Sequence, residues 1–531
     1  MSRINLGCVL LVSFLLIAGC FKVGPDFTPP TATVAKDWLD AGDRQVKTAS
    51  SEHRDWWKAF SDSALDRLID TAYRENLSLR IAGVRVLEAR AQLGIAVGEL
   101  FPQTQQAFGS VEKIRLSDHS PQAAFSQSLK YSQSEIGLRA SWELDFWGKF
   151  RRAIESADAS LVAAIADYDA TLVSLTGDVA SFYILIRTLE KRLDIARQSV
   201  ATQTEVLKIA EAKFRGGTTT QRDVEQAKTL LANTEASIPA LEIQLRQAKN
   251  ALCVLLGMPP NHLTDLLAGP GGIPAPPPQV AVGIPADLLR RRPDIRSAEA
   301  QAAAQCANIG VAKAELFPAF SLSGTFSFQA SDVGNFALGQ MFQWRSRNVQ
   351  AGPSFQWNLF NYGRLTNQVR VQDARFQELI IGYQNAVLKA QQEVEDSLTA
   401  FLRFQVRARH LGESTAAARR SFDLSVLQYR EGITDFTTVL TAQQALLNEQ
   451  DSLAITLGDI SRNLVGVYRA LGGGWQLRDG KDFIPESVRT EMAKRTNWGG
   501  LLAPAKYALS EPGNSQREKG AVAPAPSPQQ N

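Results

Sequence analysis

Ile136-Gly137-Leu138-Arg139-Ala140-Ser141-Trp142-Glu143-Leu144-Asp145-Phe146 alternates residue by residue. Ile136, Leu138, Ala140, Trp142, Leu144 and Phe146 take one face; Gly137, Arg139, Ser141, Glu143 and Asp145 take the other. A period of two is that of a strand, whose successive side chains point to opposite sides. Downstream, Phe320, Leu322, Phe326 and Phe328 alternate with Ser321, Ser323, Thr325 and Ser327. Strands of about ten residues with one apolar and one wet face suit a barrel with lipid outside and water inside. A sandwich edge also has a wet face, but Arg139, Glu143 and Asp145 would then crowd it with charge beside a very long helix.

The pattern predicts two strands in each region, near 102–114 with 130–146 and near 318–329 with 350–360. Their polar connections, around 115–129 and 330–349, are expected to face outside the cell. Four strands are too few for a transmembrane barrel, since the smallest single-chain forms use about eight. An open edge in lipid leaves backbone groups unpaired, at several kcal/mol each. The sheet must therefore be completed by other chains.

The two regions belong to a tandem duplication with an offset of about 215 residues. Leu100-Phe101-Pro102 recurs as Leu316-Phe317-Pro318, and Trp142-Glu143-Leu144 with Gly148-Lys149 as Trp357-Asn358-Leu359 with Gly363-Arg364. Lys213-Phe214-Arg215-Gly216-Gly217 recurs as Gln428-Tyr429-Arg430-Glu431-Gly432, and Leu255-Leu256-Gly257 as Ala470-Leu471-Gly472. Between the copies, the Pro- and Gly-rich run from Gly269 to Pro278 reads as an extended linker.

Each copy carries one very long helix. From Ile154 the apolar stripe steps through Ala157, Leu161, Ala164, Tyr168, Leu172 and onward to Phe214 in threes and fours, the spacing of a coiled-coil seam. The second copy keeps the register from Val369 to Tyr429. About 65 residues at 1.5 Å each make a rod on the order of 100 Å long, which must lie against other rods. A return helix of roughly 38 residues follows each glycine cluster, forming hairpins with tips at Arg215–Asp223 and Arg430–Thr438. Pro239 is expected to bend the first return helix. Shorter helices are expected near 76–100 and 293–316, with Arg290–Arg292 as a solvated helix entry.

The N-terminus reads as an export signal: Arg3, an apolar core from Cys8 to Ala18, and a lipobox, Leu16-Ile17-Ala18-Gly19-Cys20. Cys20 is expected to be acylated, and Phe21 in place of an aspartate favours outer-membrane sorting. The sequence divides into a signal peptide (1–19), an acylated tether (20–50), repeat 1 (51–257), a linker (258–285), repeat 2 (286–472) and a C-terminal extension (473–531) with a disordered end. Cys253 and Cys306 either pair or stay free. No later run approaches the roughly 18 apolar residues of a membrane helix. The net charge of +3 points neither to nucleic acid nor to an acidic ligand. The four histidines are scattered, and no metal-ligand spacing, P-loop or nucleophile elbow occurs, so neither enzyme activity nor a cofactor is expected.

The chain resembles the TolC-like outer-membrane efflux proteins, in their OprM/NodT lipoprotein branch. The residues that carry the likeness are Cys20 with Val23-Gly24-Pro25-Asp26-Phe27, Trp56-Trp57, both Leu-Phe-Pro motifs, Arg291-Arg292-Pro293-Asp294-Ile295 and both glycine-bearing tips. The resemblance implies an α+β membrane protein: a homotrimer with a shared 12-stranded β-barrel in the outer membrane and a long α-helical barrel in the periplasm. It implies a passive exit duct for drugs or other small molecules. Its partners would be a periplasmic adaptor (membrane fusion) protein and an inner-membrane pump of the resistance-nodulation-division type. A protein-secretion duct paired with an ABC transporter is the alternative; a coiled-coil structural lipoprotein fits the duplicated strands less well.

By the same resemblance, the hairpin tips form the periplasmic entrance and receive the adaptor, with Gly217 and Gly432 at the contact. Both glycines also suit a left-handed helix end. In a well-studied member, two acids and an arginine lock the entrance; here those positions hold Thr438, Thr441 and Thr434. A gate of different composition is expected, drawing on Asp223, Arg222, Arg430 and Asp435.

Overall fold

A computed structural model describes residues 21–48, 53–269, 271–333 and 338–503. The signal segment, Cys20 and the last 28 residues lie outside the described residues.

After a short strand β1 (Val46–Lys47) come helices α1 (Ser63–Glu75) and α2 (Leu77–Gly98), then strands β2 (Thr104–Arg115) and β3 (Lys130–Leu144). The long helix α3 (Lys149–Arg215) and its return α4 (Gln221–Leu255) complete the first copy. The linker contributes β4 (Val280–Ala281), and a single helical turn, α5 (Leu288–Arg291), opens the second copy. The second copy then runs α6 (Pro293–Ala314), β5 (Ala319–Ser331), β6 (Arg347–Gln356), α7 (Arg364–Arg430) and α8 (Phe436–Ala470). A short helix, α9 (Glu486–Arg495), follows. The long helices both span 67 residues and the return helices both span 35, so each pair is displaced by 215 positions.

The strands differ from expectation at one end. β6 stops at Gln356 rather than near 360, because Trp357 turns its indole Nε1–H back to the carbonyl of Leu316 at 3.1 Å. Its duplicate does the same at the end of β3, where Trp142 Nε1–H reaches the carbonyl of Leu100 at 3.1 Å. Both Leu-Phe-Pro motifs thus supply a carbonyl that docks a strand end onto a short helix. α4 continues through Pro239 on both sides.

Among the described residues the helices pack side by side in an open row. Toward the strands the order is α2, α3, α6, α7; toward the tips it is α4, α3, α8, α7. α3 is therefore flanked on both sides, and its stripe residues Leu161, Tyr168, Leu172, Val179 and Ile186 are buried, though Phe214 near the tip is exposed. By length and composition one stretch of α3 is apolar enough to cross a bilayer, more so than the sequence reading allowed. Yet 72% of that window is buried among neighbouring helices. α7 lies at a margin, and Val371, Ile381 and Leu388 stand exposed on its upper half.

Short and return helices meet end to end. Asn76 caps α2 through the Leu79 amide and donates Nδ2–H to the carbonyl of Leu255, the last residue of α4, at 2.9 Å. Arg292 serves the same joint in the second copy, donating Nη1–H to the carbonyl of Ala470 at 2.9 Å. This corrects the reading of a solvated helix entry: Arg292 is 8% exposed and pairs with Asp294 and Glu393, both at 2.7 Å. The side chain of Arg290 lies outside the described residues.

The irregular tether is pinned along its length. Arg152 donates to the carbonyls of Val23 and Gly24 and to Asp26, the last at 2.8 Å. Further down, Gln391, Glu395 and Thr399 of α7 bond to Ala35, Leu39 and Asp40, and β1 pairs in parallel with β4. Cys253 and Cys306 are both buried and free, so neither pairs with the other.

Candidate channel wall and hairpin tips

The four long strands form one antiparallel sheet in the order β2-β3-β5-β6. Its register aligns the two alternating patterns row by row. Ile136 faces Phe328, Leu138 faces Phe326, Trp142 faces Leu322 and Leu144 faces Phe320, all on one side. β6 adds Val349 and Phe355 to that side. Leu138, Leu322, Val349 and Phe355 are each about half or more exposed, a contiguous apolar surface that water would disfavour and lipid would not. From Leu144 to Ile136 is about 27 Å along the strand, or about 20 Å of height at a barrel tilt near 40°.

The opposite face is polar. One row crosses the sheet as Gln106, Arg139, Thr325 and Gln350. Gln106 Oε1 accepts from Arg139 Nε and Nη2 at 2.9 and 2.7 Å, holding the guanidinium across the strand pair. Below it, Glu143 faces Ser321 and Ser354. Among the described residues, β2 and β6 each leave one edge without a partner strand.

At the far end, each long helix stops in the same way. Gly217 and Gly432 sit at φ of +71° and +76°, a region that L side chains rarely adopt. The next amides, of Thr218 and Ile433, reach back to the carbonyls of Lys213 and Gln428 at 2.9 Å, the helix-ending arrangement expected of such glycines. Apart from each glycine's own atoms and its chain neighbours, no described atom lies within 4 Å of where a Cβ would stand on either. The two hairpins are welded by an apolar cluster that includes Val206, Val224, Phe422, Tyr429 and Phe436.

The four gate candidates divide by exposure. Asp223 is 7% exposed; Thr219 and Thr220 donate their hydroxyls to it, the latter at 3.2 Å, and Arg222 Nε lies 3.6 Å away. Asp435 caps α8, accepting from the Thr438 amide at 3.0 Å and its hydroxyl at 2.8 Å. The Thr438 hydroxyl, helped by its amide and by nearby Arg222, holds the Asp435 carboxyl below the usual range. Arg430 is exposed and makes no ion pair among the described residues. No group of three or more potential metal ligands occurs among the described residues.

A family described as outer membrane efflux protein matches residues 68–258 and 284–473, one stretch for each copy. The chain belongs to that family. It is an outer-membrane efflux channel that extends into the periplasm. The pyoverdine export outer membrane protein OpmQ of Pseudomonas putida is 33% identical over 474 residues, 88% of this chain and 97% of that one. Nodulation protein T of Rhizobium leguminosarum bv. viciae is 31% identical over 490 residues, covering 91% and 96%. Among solved structures, the outer-membrane channel OprN superposes with a TM-score of 0.79 at 33% identity, over 86% of this chain and 99% of that one. The open-state channel MtrE of Neisseria gonorrhoeae gives 0.72 at 26% identity, over 86% and 98%.

Sequence reasoning missed the aromatic contacts that brace the channel wall. Trp147 stacks on Phe317 with ring centroids 4.7 Å apart and donates Nε1–H to the Pro318 carbonyl at 2.8 Å. The duplication could have revealed them. Trp147 corresponds to Tyr362, and Phe317 to Phe101, so the first copy touches the second through residues whose counterparts are Tyr362 and Phe101.

Proposed function

We propose that three copies close into one duct, with a shared barrel of twelve strands above and a ring of helices below. The observation that carries this is the pair of open margins. β6 and α7 end the chain on one side, β2 with α2 and α4 on the other, so a head-to-tail ring satisfies every margin at once. Tyr362 is fully exposed and Phe101 is 60% exposed, which leaves both free to repeat across copies the contact that Trp147 makes with Phe317.

The duct is passive. A periplasmic adaptor and an inner-membrane resistance-nodulation-division pump supply energy and selection, and small molecules leave through the polar lumen. The names of relatives, a pyoverdine exporter and a toluene efflux component among them, support small-molecule cargo. Gly217 and Gly432 receive the adaptor, where the missing side chains let its backbone approach closely. Cys20 carries lipid, a reading supported by the lipobox before it and by Phe21, which docks edge-on to Trp147.

The test is the detergent-corrected mass of the mature lipoprotein by light scattering, followed by conductance in planar bilayers. A mass near three chains with a channel signal is expected. A stable folded monomer would leave the strand margins open in lipid and overturn the reading.

A further inference from the structure

The charges on the sheet are sorted by face. With no break in the β2–β3 register, Glu112, Glu135, Arg139 and Glu143 all fall on the lumen side. The charged side chains on the lipid side are Lys113, Arg115, Lys130 and Arg347, and every one is basic. They lie at or above the top of the apolar belt, from the level of Ile136 to that of Lys130, six residues further along β3. Arg115 is the direct partner of Lys130 at the loop end of the β2–β3 hairpin, and Lys113 lies one lipid-side position lower. Arg347 pairs with Phe328, level with Ile136 at the top of the apolar belt.

All four are exposed, and none forms an ion pair with a carboxylate among the described residues. Arg347 lies over the Trp344 ring at 4.6 Å, and Trp344 and Phe342 are 67% and 72% exposed. A generic need for solubility would not select one sign on one face and the opposite excess on the other.

We infer that this collar binds the phosphorylated headgroup of an outer-leaflet glycolipid, whose acyl chains lie on the belt below. The inference rests on the membrane placement of the sheet. Charge complementarity identifies the occupant: unpaired cations directly above an acyl-depth surface, flanked by interfacial aromatics, fit an anionic phosphate attached to lipid. A free phosphate would have no use for Trp344, Phe342 and the belt.

The experiment uses the full lipidated oligomer in phosphatidylcholine vesicles, without and with bisphosphorylated lipid A. Lipid A is expected to raise the thermal unfolding midpoint of the wild type and to remain bound in native mass spectra. The combined variant K113Q/R115Q/K130Q/R347Q is expected to bind it at least about tenfold more weakly, with unchanged single-channel conductance. The charge-conserving K113R/K130R should retain it. If the fourfold variant fails to fold, K130Q/R347Q serves in its place. Equal binding by dephosphorylated lipid A, an equal shift from inorganic phosphate alone, or full retention by the glutamine variants would overturn the inference. Loss of conductance in the wild type would instead count against the channel reading.

Discussion

Arg292 Nη1 lies 2.9 Å from the carbonyl oxygen of Ala470, the final residue of α8, and thereby joins the C-terminus of one helix to the N-terminus of another. The guanidinium satisfies a carbonyl that the helix itself cannot, while Asp294 and Glu393 balance its charge. Arg292→Met should therefore cost about 3 kcal/mol, since it strands the carbonyl and leaves two carboxylates facing each other. Arg292→Lys should recover little, because one ammonium cannot reproduce the forked contacts. Chemical denaturation of the detergent-solubilised protein checks both; a loss within about 0.5 kcal/mol for the Met variant would show the joint to be carried by packing alone.

Tyr362 and Phe101 make the ring testable at one bond. If the contact of Trp147 with Phe317 repeats between copies, Tyr362→Cys with Phe101→Cys should crosslink neighbouring chains under mild oxidation. The expected product is a covalent ladder ending at three chains on denaturing gels. A crosslink confined within single chains, or none in a folded oligomer, would exclude this packing of copy on copy.

Much of this was legible because the duplication repeats each signal. The alternation in 136–146 and 320–328 marked the sheet and its lipid face, and stripe spacing marked both long helices and their tips. What escaped detection was held by contacts between residues far apart in sequence. Arg292 looked like part of a charged surface run because nothing local reveals that Ala470 ends beside it, 178 positions away. Asp223 read as a gate acid at a tip, yet it is buried and its threonine neighbours donate to it. The collar of Lys113, Arg115, Lys130 and Arg347 emerges only once register assigns each side chain to a face.

His53 gives the fold an acid limit. Burial, reinforced by the nearby positive charge of Arg291, lowers its pKa from 6.5 to about 4, and its ring packs 5.4 Å from that of Tyr468. The unfolded chain takes up this proton near pH 6.5 whereas the folded chain resists it until about 4. Stability from the neutral ring is thus complete above about pH 6.5 and lost as pH falls toward 4, by up to about 3 kcal/mol. Unfolding midpoints between pH 7 and 4 should fall more steeply in the wild type than in His53→Gln. Parallel slopes would mean that other groups set the acid limit.

At the tip, charge and shape can be separated by two substitutions at one residue. Asp223 is buried and accepts hydroxyls from Thr219 and Thr220, so it shapes the turn from within, while Arg222, Arg430 and Asp435 remain outside to meet another copy. Asp223→Arg should break the turn and raise the closed-state conductance of the reconstituted channel severalfold. Asp223→Asn keeps an acceptor oxygen for the threonines and should stay nearly closed, at a cost of about 1 kcal/mol or less in stability. If the asparagine variant conducts as freely as the arginine one, the negative charge itself seals the entrance. If neither differs from the wild type, Asp223 has no part in the gate, and the exposed Arg222, Arg430 and Asp435 become the residues to reverse next.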